Sequence, residues 1–111
     1  DKDGILTGDE MEFLLNRFFD LLQDDISFWK LYFTLFVQEP VIRLVQDRLS
    51  KALNNYIKLL TAYFESRGFE DPYTEALLFG AMLDGIGINY VANSELFPVE
   101  KIKKGILKKY S

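Results

Sequence analysis

Pro40-Val-Ile-Arg-Leu-Val-Gln-Asp-Arg-Leu-Ser-Lys-Ala-Leu-Asn-Asn-Tyr-Ile-Lys-Leu-Leu-Thr-Ala-Tyr-Phe-Glu-Ser-Arg-Gly68 is the stretch whose reading decides the fold. Ile42, Val45, Leu49, Ala52, Tyr56, Leu59 and Tyr63 recur at steps of three and four, the spacing of one face of an α-helix. Leu53, Ile57, Leu60 and Phe64 widen that stripe enough for two packed neighbours. Proline suits the first turn of a helix and glycine the position just past its end, so the spacing predicts a helix over Val41–Arg67. At about 1.5 Å per residue it spans on the order of 40 Å, the length of a small domain.

Downstream, Asp71-Pro72 opens a fourth helix, with Asp as N-cap, Pro at the first helical position and Glu75 in the first turn. It is expected to run to about Asn93 and carries Gly80, Gly85 and Gly87 in its interior. Each glycine costs about 0.5–1 kcal/mol relative to Ala there, so close packing should compensate. Ala76, Gly80, Asp84, Gly87 and Val91 share one smooth face of it. Phe97-Pro98 opens a last helix to Tyr110, with Val99, Ile102, Ile106 and Tyr110 as its apolar side and lysines on the others.

Upstream, Asp1–Gly8 reads as a frayed lead-in, followed from Asp9 by a helix whose Met11, Leu15, Phe18, Phe19 and Leu22 lie on one face. Asp24-Asp25 end it. Ser27 is a candidate N-cap for a short helix reaching Gln38. That helix is apolar on nearly all sides, through Phe28, Trp29, Leu31, Tyr32, Phe33, Leu35, Phe36 and Val37, and therefore has to be surrounded. A strand is the competing reading because aromatics favour sheets, but no alternation or hairpin turn accompanies it. The fold class expected is all-α, a five-helix antiparallel bundle forming one domain over residues 1–111.

Composition narrows the function. The 111 residues include neither Cys nor His, which removes disulfides, thiolate chemistry, Ser-His-Asp arrangements, haem histidines and the common zinc sites. No catalytic residue, metal ligand or cofactor-binding motif is read, so the chain is expected to be no enzyme and to use no cofactor. The missing cysteines fit a cytoplasmic protein. The net charge of −4 argues against a nucleic-acid surface on this piece. Ala76–Asn93 contains Asp84 and three glycines and is too broken to read as a membrane span. Asp1-Lys-Asp-Gly4 only faintly echoes a calcium loop, without its spacing.

Aromatic residues make up 15% of the chain, and that load calls for burial. Trp29, Tyr32, Phe33, Phe36, Tyr56, Tyr63 and Phe79 could line a pocket for a small apolar or aromatic ligand, or simply fill the core. Gly80, Asp84, Gly87 and Val91, with Ile102, Ile106 and Tyr110 of the last helix, form the expected homodimer interface; packing within the monomer is the alternative. The lone Asp84 either pairs with a cation or stays solvated at the helix edge.

An aromatic helix ending in Glu39-Pro40, a long helix closed by Arg67-Gly68, and Asp71-Pro72 opening a glycine-bearing helix resemble the C-terminal domain of TetR/AcrR-type transcriptional regulators. Ala81-Met82-Leu83-Asp84-Gly85-Ile86 and Phe97-Pro98 followed by Ile102 are the nearest echoes, and the likeness covers Asp9–Ser111. It implies a ligand-binding and dimerisation domain of a repressor released by a small apolar ligand. The last two helices, Pro72–Asn93 and Pro98–Tyr110, would pair with those of a second subunit, and the ligand would lie between the aromatic, long and glycine-bearing helices. Operator DNA would be bound only through an N-terminal helix-turn-helix domain, which is not read in this chain, so no DNA-contacting residue is named. A different class of function, a helical module that binds a partner helix in an apolar groove, predicts a monomer instead.

Overall fold

The computed structural model describes residues 4–111, leaving aside the side chains of Phe36, Val45 and Leu49. The calcium-loop echo at Asp1–Gly4, the pocket role given to Phe36 and the stripe positions Val45 and Leu49 therefore lie largely or wholly outside the described residues. The described chain is all-α, with α1 Gly8–Asp24, α2 Ile26–Phe36, α3 Glu39–Ser66, α4 Pro72–Ala92 and α5 Val99–Tyr110, and no strand among the described residues.

The helix ends follow from local chemistry. Thr7 caps α1 through a capping box: its Oγ1 accepts from the Glu10 N–H at 3.1 Å, while its own N–H donates to Glu10 Oε1 at 2.9 Å. Helix α2 starts one residue before Ser27, because Asp25 Oδ1 accepts from the Phe28 N–H at 3.0 Å and takes the cap that the sequence assigns to Ser27. Pro40 sits in the first turn of α3. That helix closes on Gly68, at φ +82°, with the Phe69 N–H donating to the Phe64 carbonyl and the Gly68 N–H to the Glu65 carbonyl. This is a Schellman closure, and its usual apolar contact is the Phe64–Phe69 ring pair at 5.1 Å. Asp71 caps α4 by accepting from the Thr74 N–H and hydroxyl.

The core gathers at the end of the molecule away from the α2–α3 turn. Met11, Leu15, Phe19 and Leu22 of α1 are fully covered, as the sequence spacing predicts, while Phe18, expected on the same face, is only half-buried. They meet Leu60, Tyr63 and Phe64 of α3, Ala76, Phe79, Leu83 and Ile86 of α4, and Ile106 and Tyr110 of α5. Helix α4 is long and apolar enough to cross a membrane by length and composition, yet its Ala76, Phe79, Leu83, Ile86 and Gly87 are buried within this fold.

Candidate functional site: two grooves and an uncovered helix face

The residues expected to wall one pocket are distributed over several places. Tyr63 and Phe79 are buried in the core, packed among its other rings. Phe64 stands edge-on to Phe79 at 5.7 Å and to Tyr63 at 5.4 Å, and Phe79 to Tyr110 at 5.0 Å. The Tyr63 hydroxyl donates to the Tyr110 carbonyl at 2.6 Å, so it has no spare hydrogen for a bound molecule. Trp29 and Phe33 are half-buried, and Tyr32 is exposed. The Trp29 indole N–H donates to the Leu21 carbonyl at 2.7 Å, which pins α2 onto the end of α1.

Of the seven, Tyr56 lines the larger concavity, and Phe33 lines a smaller one of about 400 Å³ between α2 and α4, with Lys30, Thr34, Ile88 and Val91. A groove of about 600 Å³ between α1 and α3 is lined by Leu6, Phe13, Leu14, Phe18 and Leu21 with Tyr56, and bordered by Asp9, Glu10 and Arg17. Its walls are mostly apolar, as a ligand site requires. The sequence reading missed it because Phe13, Leu14 and Leu21 fall off the main apolar face of α1; a second, weaker stripe was the available signal. Asp84 belongs to the surroundings of Tyr56: burial, and then the Asp84 charge, push the Tyr56 phenol up from its ordinary value. Apolar surroundings likewise raise the Asp84 carboxyl.

The expected interface splits in the same way. Gly87 is buried inside the monomer, where a Cβ would stand 3.0 Å from the Phe33 ring and 3.9 Å from Leu22. Its missing side chain thus serves the packing of α2 on α4 within one chain, which corrects the assignment of Gly87 to a subunit interface. Ile106 and Tyr110 are also buried in the monomer's core, because α5 turns that side onto α1, α3 and α4. Gly80 and Val91 are half-buried, Ile102 is half-buried, and Asp84 is exposed.

What α4 leaves open is its other side. Leu78, Met82, Gly85 and Asn89 follow at steps of four, three and four, and Leu77, Leu78 and Ile88 are exposed large apolar residues. Ile88 faces α2, whereas beside Leu78 and Met82 a groove of about 580 Å³ runs between α4 and α5, lined by Met82, Ile86, Pro98, Ile102, Gly105 and Ile106, with Lys101 and Lys109 at its edge. A Cβ on Gly85 or Gly105 would meet nothing within 4 Å, so both backbones are open to close approach. Among the described residues no three Asp or Glu side chains gather to hold a metal ion. Compared with protein-family models, with curated proteins and with solved structures, the chain matches none.

Proposed function

We propose that the chain is the effector-binding and homodimerising domain of a TetR/AcrR-type transcriptional regulator, non-catalytic, with its two-fold contact on α4 and α5 and operator DNA read by a separate N-terminal domain. The observation that carries this reading is the uncovered apolar face of the last two helices. Leu78 stands in water beside the Met82–Ile102 groove, at a real cost to an isolated monomer. A second copy presenting the same face would cover both at once, since a two-fold axis brings like surfaces together. Gly85 and Gly105 would let the helices approach closely at that axis. The α1–α3 groove with Tyr56 is the place offered to a small apolar effector. An effector that favours one arrangement of α1 and α3 would shift the population of the dimer and so the spacing of the attached DNA-reading heads.

Sedimentation equilibrium tests the pairing. The wild-type chain should be a dimer at micromolar concentration, and Leu78→Glu combined with Gly105→Glu should yield a helical monomer, since both positions are open to solvent. A wild-type monomer with an intact helical spectrum would sink the reading and favour a module that takes a partner helix in the α4–α5 groove. A thermal-shift screen with apolar and aromatic compounds tests the effector; stabilisation lost in Tyr56→Ala places it in the α1–α3 groove.

A further inference from the structure

Helix α2 is the most apolar element of the chain and one of the least covered. Among its described side chains, the stripe of Ile26, Trp29 and Phe33 turns toward the body, while Phe28, Leu31, Tyr32 and Leu35 remain exposed. At the apex Val37 is 74% exposed, and Leu44 in the second turn of α3 is 85% exposed. A patch of this kind on a folded chain marks a contact surface. The apex carries a modest positive excess, smaller than that of the lysine-rich α5: residues 26–54 hold Lys30, Arg43, Arg48 and Lys51 against Glu39 and Asp47, and Glu39 is already engaged by Arg43.

The groove on α1 has the opposite character. Its helix and cap carry Asp9, Glu10, Glu12, Asp20, Asp24 and Asp25 against Arg17 alone. Its floor is apolar and open, with Phe13 itself 71% exposed. One molecule thus bears two uncovered apolar surfaces of opposite charge. They cannot satisfy each other within one copy. Leu44 and Tyr56 lie on the same unbroken helix α3, twelve residues apart, and so about 18 Å from one another along a rigid rod.

We propose that the α2–α3 apex of one copy docks into the acidic α1 groove of a second copy, with Val37 and Leu44 on its apolar floor and Arg48 and Lys51 facing the α1 carboxylates. This is a heterologous contact, distinct from the two-fold pairing of α4 and α5 and independent of it, and an apex seated there competes with a small apolar effector for the same groove. A second copy is favoured over an anionic lipid surface because it accounts for both surfaces. Lipid would be drawn to the apex alone and would leave the α1 groove uncovered, with its carboxylates repelled.

Sedimentation velocity on the full chain carrying Leu78→Glu and Gly105→Glu tests the proposal, since that background removes the α4–α5 pairing if it exists and changes nothing here if it does not. Association should grow with concentration and weaken about tenfold between about 0.05 M and about 0.5 M salt. Leu44→Asp at the apex and Phe13→Asp in the groove should each abolish it; both side chains are mostly solvent-exposed, so the fold is kept. The decisive sample is an equimolar mixture of the two variants. Each retains one intact surface, so the mixture should regain a single contact and form a one-to-one pair. A mixture that stays monomeric, or a background chain that never associates, overturns the proposal. Binding to phosphatidylglycerol vesicles that is lost in Leu44→Asp and kept in Phe13→Asp, without self-association, overturns it too and reassigns the apex to lipid.

Discussion

Gly80 and Gly87 stand seven residues apart on the same side of α4, and their surroundings give them opposite consequences. A methyl group on Gly80 meets nothing within 4 Å, whereas at Gly87 it would press on the Phe33 ring at 3.0 Å. Gly80→Ala should therefore stabilise the fold by about 0.5–1 kcal/mol, through the lost flexibility of the unfolded chain. Gly87→Leu should destabilise it by about 1–3 kcal/mol, because overpacking there must push α2 off α4. Urea denaturation at a concentration where the chain is monomeric reads both. An unchanged Gly87→Leu midpoint, with dissociation of a dimer instead, would mean that the close approach is between subunits. The sequence shows that both glycines need a reason for their place in a helix. It does not show which reason, because the answer depends on where Phe33, more than fifty residues earlier, is delivered by the fold.

At the scale of the helices, starts and stops are legible in the sequence where one residue type dominates the signal. Asp71-Pro72 and Arg67-Gly68 act as the sequence predicts, through a carboxylate cap and a residue at positive φ. Where two capping residues stand close together, as Asp25 and Ser27 do, hydrogen-bond geometry decides, and the Asp25 carboxylate takes the Phe28 N–H. Helix α1 begins with Gly8, a poor helix former, so its first turn depends on the reciprocal bonds of Thr7 and Glu10. Thr7→Ala should cost about 1 kcal/mol of stability, while Thr7→Ser keeps the accepting oxygen and should cost far less. Hydrogen exchange localises the effect: the amide of Glu10 should lose its protection in Thr7→Ala, and equal exchange in the two variants would show that the box contributes nothing. The apolar perimeter of α2 was legible as a demand for cover, but the sequence does not say that Phe28, Leu31, Tyr32 and Leu35 stay exposed in the monomer.

Across the whole molecule, the pairing of faces was the least legible level, and Tyr110 shows why. Its spacing marks an apolar face of α5, which suits an interface and a core equally well. The fold carries it inward, where its hydroxyl donates to Glu75 Oε2 of α4 at 3.0 Å and its carbonyl accepts from Tyr63 of α3 at 2.6 Å. Three helices are thereby tied at one end around the rings of Phe64, Phe69 and Phe79. Burial, reinforced by the Glu75 bond and charge, pushes the Tyr110 phenol from about 10 up to about 12. The neutral phenol is therefore the form the fold favours. Its contribution is complete below the unfolded value near 10 and is lost as pH climbs from there through about 12, because the unfolded chain releases that proton first. Tyr110→Phe should lower stability at neutral pH by about 1 kcal/mol, for the lost bond and the unpaired Glu75 carboxylate. It should also flatten the alkaline decline, leaving the part due to Tyr56 and Tyr63, whose phenols burial likewise raises. Urea midpoints followed from neutral pH into that range measure both effects. Parallel alkaline slopes for wild type and variant would show that Tyr110 ionises as freely in the fold as in the unfolded chain, and that the three-helix tie is not closed by its hydroxyl.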